Sequence, residues 1–186
     1  MALPRFLAAI AASVMLASSP VLADEMGDIR KQFQQGDLAG ALERTDHYLA
    51  KNPRHAQARF LKSLILDDQG QPDAAIELLT ALTEDYPELP EPYNNLAVIH
   101  AGQGRYQDAL IALESALRAH PGYATAHENL GDIHAKMATA AYEKALTLDG
   151  KNMTAKIKFA QLRALLEKQA LDPVPSPLLE TLPQAR

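Results

Sequence analysis

Residues 104–121 read Gly104-Arg105-Tyr106-Gln107-Asp108-Ala109-Leu110-Ile111-Ala112-Leu113-Glu114-Ser115-Ala116-Leu117-Arg118-Ala119-His120-Pro121. The glycine accepts the left-handed conformation that stops a helix without a side-chain clash. Ala109, about one turn into the next helix, removes the side chain that would hold two helices apart. Leu110, Leu113 and Leu117 keep helical spacing, and Pro121 cannot donate to a continuing helix. The same three markers stand 34 residues upstream as Gly70, Ala75 and Pro87, and 34 further upstream as Gly36, Ala41 and Pro53. A period of this length belongs to a two-helix unit that cannot bury its apolar face alone and must stack on its neighbours. The fold class is therefore all-α, a helix-turn-helix solenoid, with no strand signal anywhere in the chain.

Around the markers the chain resembles the tetratricopeptide repeat. The third unit, 90–123, carries the fullest match: Tyr93-Asn94-Asn95-Leu96-Ala97 opens its first helix and Gly104 to Leu110 makes its turn. The second, 56–89, keeps Gly70-Gln71-Pro72-Asp73-Ala74-Ala75-Ile76 but has Arg59 in the aromatic place and Lys62-Ser63 in place of leucine-glycine. The first, 24–55, is partial, retaining Gly36-Asp37-Leu38-Ala39-Gly40-Ala41-Leu42 through Pro53, with its opening helix cut short by the mature N-terminus. The resemblance specifies the fold and leaves the partner open.

The fourth unit, 124–151, begins with His127-Glu128-Asn129-Leu130-Gly131 and then loses five residues relative to unit three. The missing stretch is the glycine turn. Without a breaker, Asp132 to Leu148 favours one long or kinked helix, which rotates the later stripe of Tyr142, Ala145, Leu146 and Leu148 away from the stack. A sharp glycine-free turn near Met137 to Thr139 is the alternative.

Residues 1–23 read as a cleaved secretory signal peptide: Arg5, an apolar run from Phe6 to Ala17, Pro20, then Val21-Leu22-Ala23 ahead of Asp24-Glu25. The expected location is the bacterial periplasm, with full secretion or an N-terminal membrane anchor as alternatives. Zero cysteines leave no disulfide framework and no lipid-attachment cysteine. Removing the leader leaves 163 residues with 17 basic and 23 acidic side chains, a net charge of −6. That balance argues against nucleic acid or anionic lipid as the principal ligand. Asn152 caps a C-terminal helix over 152–171, whose stripe of Met153, Ile157, Ala160 and Ala164, broadened by Phe159, Leu162, Leu165 and Leu166, is expected to cover the last unit or to make a homodimer contact. Residues 172–186, with Pro173, Pro175 and Pro177, read as an extended tail.

No catalytic, cofactor or metal constellation emerges. His100, His127 and His134 occupy aromatic places of the resembled repeat and are expected to pack between helices, and there is no His-Glu-x-x-His pair or phosphate loop. No small-molecule substrate is expected. The resemblance implies a non-enzymatic protein-binding scaffold or assembly adaptor whose concave groove is lined by the first helix of each unit. The groove residues are then Phe60, Leu61 and Leu64, with Gln57, Asp67 and Asp68 beside them; Glu91, Asn94, Asn95, Val98 and Ala101; and Glu128, Asn129 and Asp132, with Thr125. Asn95 and Asn129 match the asparagine that grips the main chain of a bound peptide in many such domains, or simply suit that helical position. The carboxylates among these residues point to a protein partner segment that is extended or helical, neutral to basic and partly apolar. The alternative is a self-associating structural subunit that uses the fourth unit and the C-terminal helix.

Overall fold

A computed structural model describes residues 21–171 as eight α-helices in sequence, with no strand among them. Three helix pairs come first: α1 (Val21–Gln34) with α2 (Leu38–Lys51), α3 (Ala56–Asp68) with α4 (Pro72–Asp85), and α5 (Pro90–Gly102) with α6 (Tyr106–Ala119). A single helix α7 (Ala124–Leu148) and a last helix α8 (Met153–Leu171) complete the chain. Of the expected leader only Val21 to Ala23 lie within the described residues, as the first turn of α1, and the expected tail 172–186 lies outside them. Among the described residues no helix is long and apolar enough to cross a membrane.

The inner turn of each pair is the same device. Gly36, Gly70 and Gly104 have φ of 82°, 74° and 74°. The residue after each glycine donates its N–H back to the preceding helix: Asp37 to Gln32 O at 3.2 Å, Gln71 to Leu66 O at 2.9 Å, Arg105 to His100 O at 2.8 Å. This is the six-to-one closure that glycine permits at a helix end. Asp37 also caps α2, accepting from the Gly40 N–H at 3.0 Å, and its carboxyl is held below the usual range by the Gln32 amide and that N–H. The outer turns between pairs obey another rule: the N–H of Asn52, Tyr86 and His120 reaches back to Tyr48, Leu82 and Ala116 just ahead of the prolines.

Ala41, Ala75 and Ala109 are 0 % exposed, which lets the helices of each pair approach closely. Burial then runs along the second helices through Thr45 and Tyr48, Leu79 and Leu82, and Leu113 and Ala116. One apolar cluster joins Phe60 to Ile133 across α3 to α7, and a second ties α1, α2 and α3 together around Ile29, Tyr48 and Leu61. Arg59, in the aromatic place of unit two, crosses to α4 and pairs with Asp85, its side chain only 13 % exposed, so the substituted position still links helices. Lys62 does likewise toward Asp46 of α2 at 2.6 Å.

Unit four has lost its inner turn and α7 runs unbroken for 25 residues. Its outer turn survives: Asp149 N–H reaches Ala145 O and Asn152 N–H reaches Asp149 O, as at the ends of the complete units. Helix α7 therefore holds both helices of a unit fused into one rod, and α8 stands where the first helix of a fifth unit would begin. Asn152 caps α8 through the Ala155 N–H at 2.9 Å.

Helix α8 covers α7 with only part of the broad stripe expected of it. Ala155 is buried and Phe159, Leu162 and Leu166 are half-buried, whereas Met153 and Ile157 are 63 % and 56 % exposed and Ala160 and Ala164 are exposed. At 100° per residue these sets occupy two arcs of about 60° each, centred about 160° apart. Of the broad stripe read from the sequence, the part with the larger aggregate of side chains took the contact with α7. The histidines also differ from expectation. His127 and His134 are exposed, with His127 Nε2 3.1 Å from Pro121 O, because no second helix folds back over the first half of α7. His100 is half-buried beside Arg105, and burial, then that guanidinium, lowers its pKa.

Candidate binding groove

The first helices of successive pairs lie side by side, and between α5 and α7 they leave an open hollow of about 260 Å³. Val98, Ala101 and Gly102 form one wall; Asn129, Asp132, Ile133 and Lys136 form the other. Helical spacing places them there: Val98 to Gly102 complete the last turn of α5 before the Gly104 stop, and Asn129 to Lys136 are successive inner positions of α7. Val98 is 46 % exposed. By the 34-residue register Asp67 and Asp68 hold in unit two the places of Ala101 and Gly102. Burial raises the pKa of both carboxyls, and Asp68 adds to the rise at Asp67. Exposed Glu128 adds a further carboxylate on α7.

The ten expected groove residues divide by burial. Val98 and Glu128 are exposed, and Leu64, Asn129 and Asp132 are half-buried. Phe60 and Leu61 are 2 % exposed and belong to the core, Phe60 toward α4 to α6 and Leu61 toward α1 and α2. Glu91, Asn94 and Asn95 are also inside, at 7 %, 0 % and 6 %. These five are corrected from ligand contacts to interior residues. Inner and inter-helix positions are one residue, or 100°, apart on α3 and α5, and the next helix closes over one of them.

The asparagines are engaged within the fold. Asn129 Nδ2 donates to Asn94 Oδ1 at 2.8 Å, joining α7 to α5, and Asn95 Nδ2 donates to Glu91 O one turn back on its own helix at 2.9 Å. Beside them, Glu91 Oε2, Asn94 Nδ2 and the Tyr123 hydroxyl are buried without a hydrogen-bond partner. Burial pushes the Glu91 carboxyl up, its own backbone N–H and His120 opposing, and burial with the Glu91 charge pushes Tyr123 up to about 12. The expectation had not included Gly102, Ile133 and Lys136. Ile133 and Lys136 come after Asn129 and Asp132 at helical spacing, a signal that could have found them. Among the described residues no group of three or more histidine, cysteine, aspartate or glutamate side chains could hold a metal ion.

Stacked helix pairs joined by left-handed glycine turns, with a hollow along their first helices, define an α-helical repeat solenoid. Residues 29–90 and 94–152 match the tetratricopeptide repeat profile, well over half of the chain, and the chain belongs to that family. Tetratricopeptide repeat proteins generally mediate protein–protein interactions. The chain is 32 % identical over 77 residues to the tetratricopeptide repeat domain-containing protein PYG7, chloroplastic, of Arabidopsis thaliana, a match spanning 39 % of this chain and 26 % of that protein. Among solved structures, MamA is similar with a TM-score of 0.55 at 22 % identity, over 82 % of this chain and 96 % of that one. The Sgt2 repeat domain of Aspergillus fumigatus is similar with a TM-score of 0.60 at 16 % identity, over 67 % and 84 %. At these identities the structures speak to the fold.

Proposed function

We infer that the chain is a non-enzymatic scaffold or assembly adaptor of the bacterial envelope, exported by its leader to the periplasm, which takes a partner's helical or extended segment in the hollow between α5 and α7. The observation that carries this reading is the exposed Val98 on one wall of a hollow that presents Asp132 on the other. An apolar wall with a carboxylate beside it suits an apolar segment carrying basic side chains. Asn94 and Asn129 hold the walls in register. A photo-crosslinking residue at Val98 tests the site, with one at Ile111 of α6, itself 55 % exposed, as the control. Crosslinked partner at Val98 and none at Ile111 is expected; equal yields, or crosslinks at Ile111 alone, refute the site. Cell fractionation with N-terminal sequencing tests export, the expected mature start being Asp24.

A further inference from the structure

The charge of the chain is sharply divided. Residues 24–135 carry 9 basic and 18 acidic side chains, and residues 136–171 carry 7 basic and 3 acidic. The second segment is the far half of α7 with α8. Leu148, Met153, Ile157 and Leu165 in it are each more than half exposed. Met153, Ile157, Ala160 and Ala164 keep a four-three-four spacing along one face of α8, opposite the stripe packed on α7. A helix apolar on two opposite faces is suited to burial on both, and one of them is left uncovered by the described residues. Lys156 and Arg163 lie along one edge of this face, where Arg163 Nε donates to Glu167 Oε1 at 2.8 Å.

We propose that the bare face of α8 in one molecule docks into the hollow between α5 and α7 of a second copy, forming a head-to-tail contact. The proposal rests on the groove reading above and names its occupant. The two surfaces carry opposite net charge: the hollow offers Val98 with Asp132 and Lys136, and Asp67, Asp68 and Glu128 stand on the first helices around it, while α8 offers an apolar ridge edged by Lys156 and by Arg163, which pairs with Glu167. Within one molecule the ridge points away from α7, which is itself a wall of the hollow, so a molecule cannot fill its own hollow. Donor and acceptor surfaces differ, so the contact is heterologous and adds copies in a ring or an open chain.

The test is sedimentation of residues 24–186 across roughly 1 to 200 µM, the range of micromolar contacts. Wild type is expected to gain mass with concentration, and to lose that gain as salt screens the contact. Met153→Glu with Ile157→Glu removes the ridge; Asp67→Lys with Asp68→Lys and Glu128→Lys reverses the acidic surface. Each variant alone is expected to associate at least about tenfold more weakly, with circular dichroism showing native helicity. Mixed, the two variants are expected to form a one-to-one dimer and stop there, since one intact ridge and one intact hollow remain. Wild type that stays monomeric overturns the proposal, while the crosslinking at Val98 still decides the groove. Association lost in the ridge variant but kept in the acidic-surface variant overturns it in favour of α8 pairing. Monomers that bind phosphatidylglycerol vesicles through the ridge overturn it in favour of a lipid surface.

Discussion

Replacing Asn129 with alanine tests whether the inner asparagines serve the fold. Asn129 Nδ2 is the donor to Asn94 Oδ1 at 2.8 Å, Asn94 is 0 % exposed, and Asn94 Nδ2 already lacks a partner. After Asn129→Ala neither half of the buried Asn94 carboxamide has a protein partner. Leaving a buried polar group unpaired costs about 1–3 kcal/mol. For a domain of this size each kcal/mol corresponds to roughly 2–4 °C in melting temperature, so a fall of about 4–8 °C is expected for a central value near 2 kcal/mol. Asn95→Ala removes only a bond to a carbonyl one turn back on the same helix, and about 0.5–1 kcal/mol is expected. Calorimetry on Asn94→Ala, Asn129→Ala and the double variant closes the cycle. The double variant should be less destabilised than the sum of the singles by about 0.5–1.5 kcal/mol. An Asn129→Ala melt within 1 °C of wild type, roughly 0.3–0.5 kcal/mol, or strict additivity, refutes the bridge.

Two glycines should respond with opposite signs in urea denaturation. Gly104→Ala meets no atom within 4 Å but must hold φ at +74°, and about 1 kcal/mol is expected to be lost. Gly131→Ala sits inside α7 with the same open space and an ordinary helical φ, and about 0.5–1 kcal/mol should be gained. Glu91 sets an acid-side prediction. Its folded carboxyl is raised above the ordinary 4.5, so the folded state holds the proton more tightly and stability falls as pH rises from 4.5 through the folded value. Glu91→Gln should flatten that part of the stability profile and raise the melting temperature at pH 7; an unchanged profile refutes the assignment.

The stack was legible because its markers are conformational necessities. Gly36, Gly70 and Gly104 occupy the left-handed region, and Ala41, Ala75 and Ala109 stand where any larger side chain would separate two helices. The single rod of α7 was legible from the five missing residues and the absence of any replacement breaker. Groove residues were harder to separate from core residues. Val98 and Ile99 are neighbours in sequence, at 46 % and 6 % exposed, and only the approach of the adjacent helices makes them differ. On α8 periodicity was satisfied twice over, and the choice between Met153 with Ile157 and Phe159 with Leu162 was made by fit against α7, which spacing does not encode.

The unbroken course of α7 also makes it a mechanical lever. Its first half is wall to the hollow and anchored through Ile133 and Met137 in the core, while its second half carries α8. From Ile133 to Leu148 the rod is about 22 Å long, so a tilt of about 5° at the hollow swings the far end by about 2 Å. A glycine turn in the middle would act as a joint and absorb such a tilt. By losing that joint, the fourth unit fixes the far helix to the wall of the hollow, so that the position of α8 follows the angle at which α7 is seated.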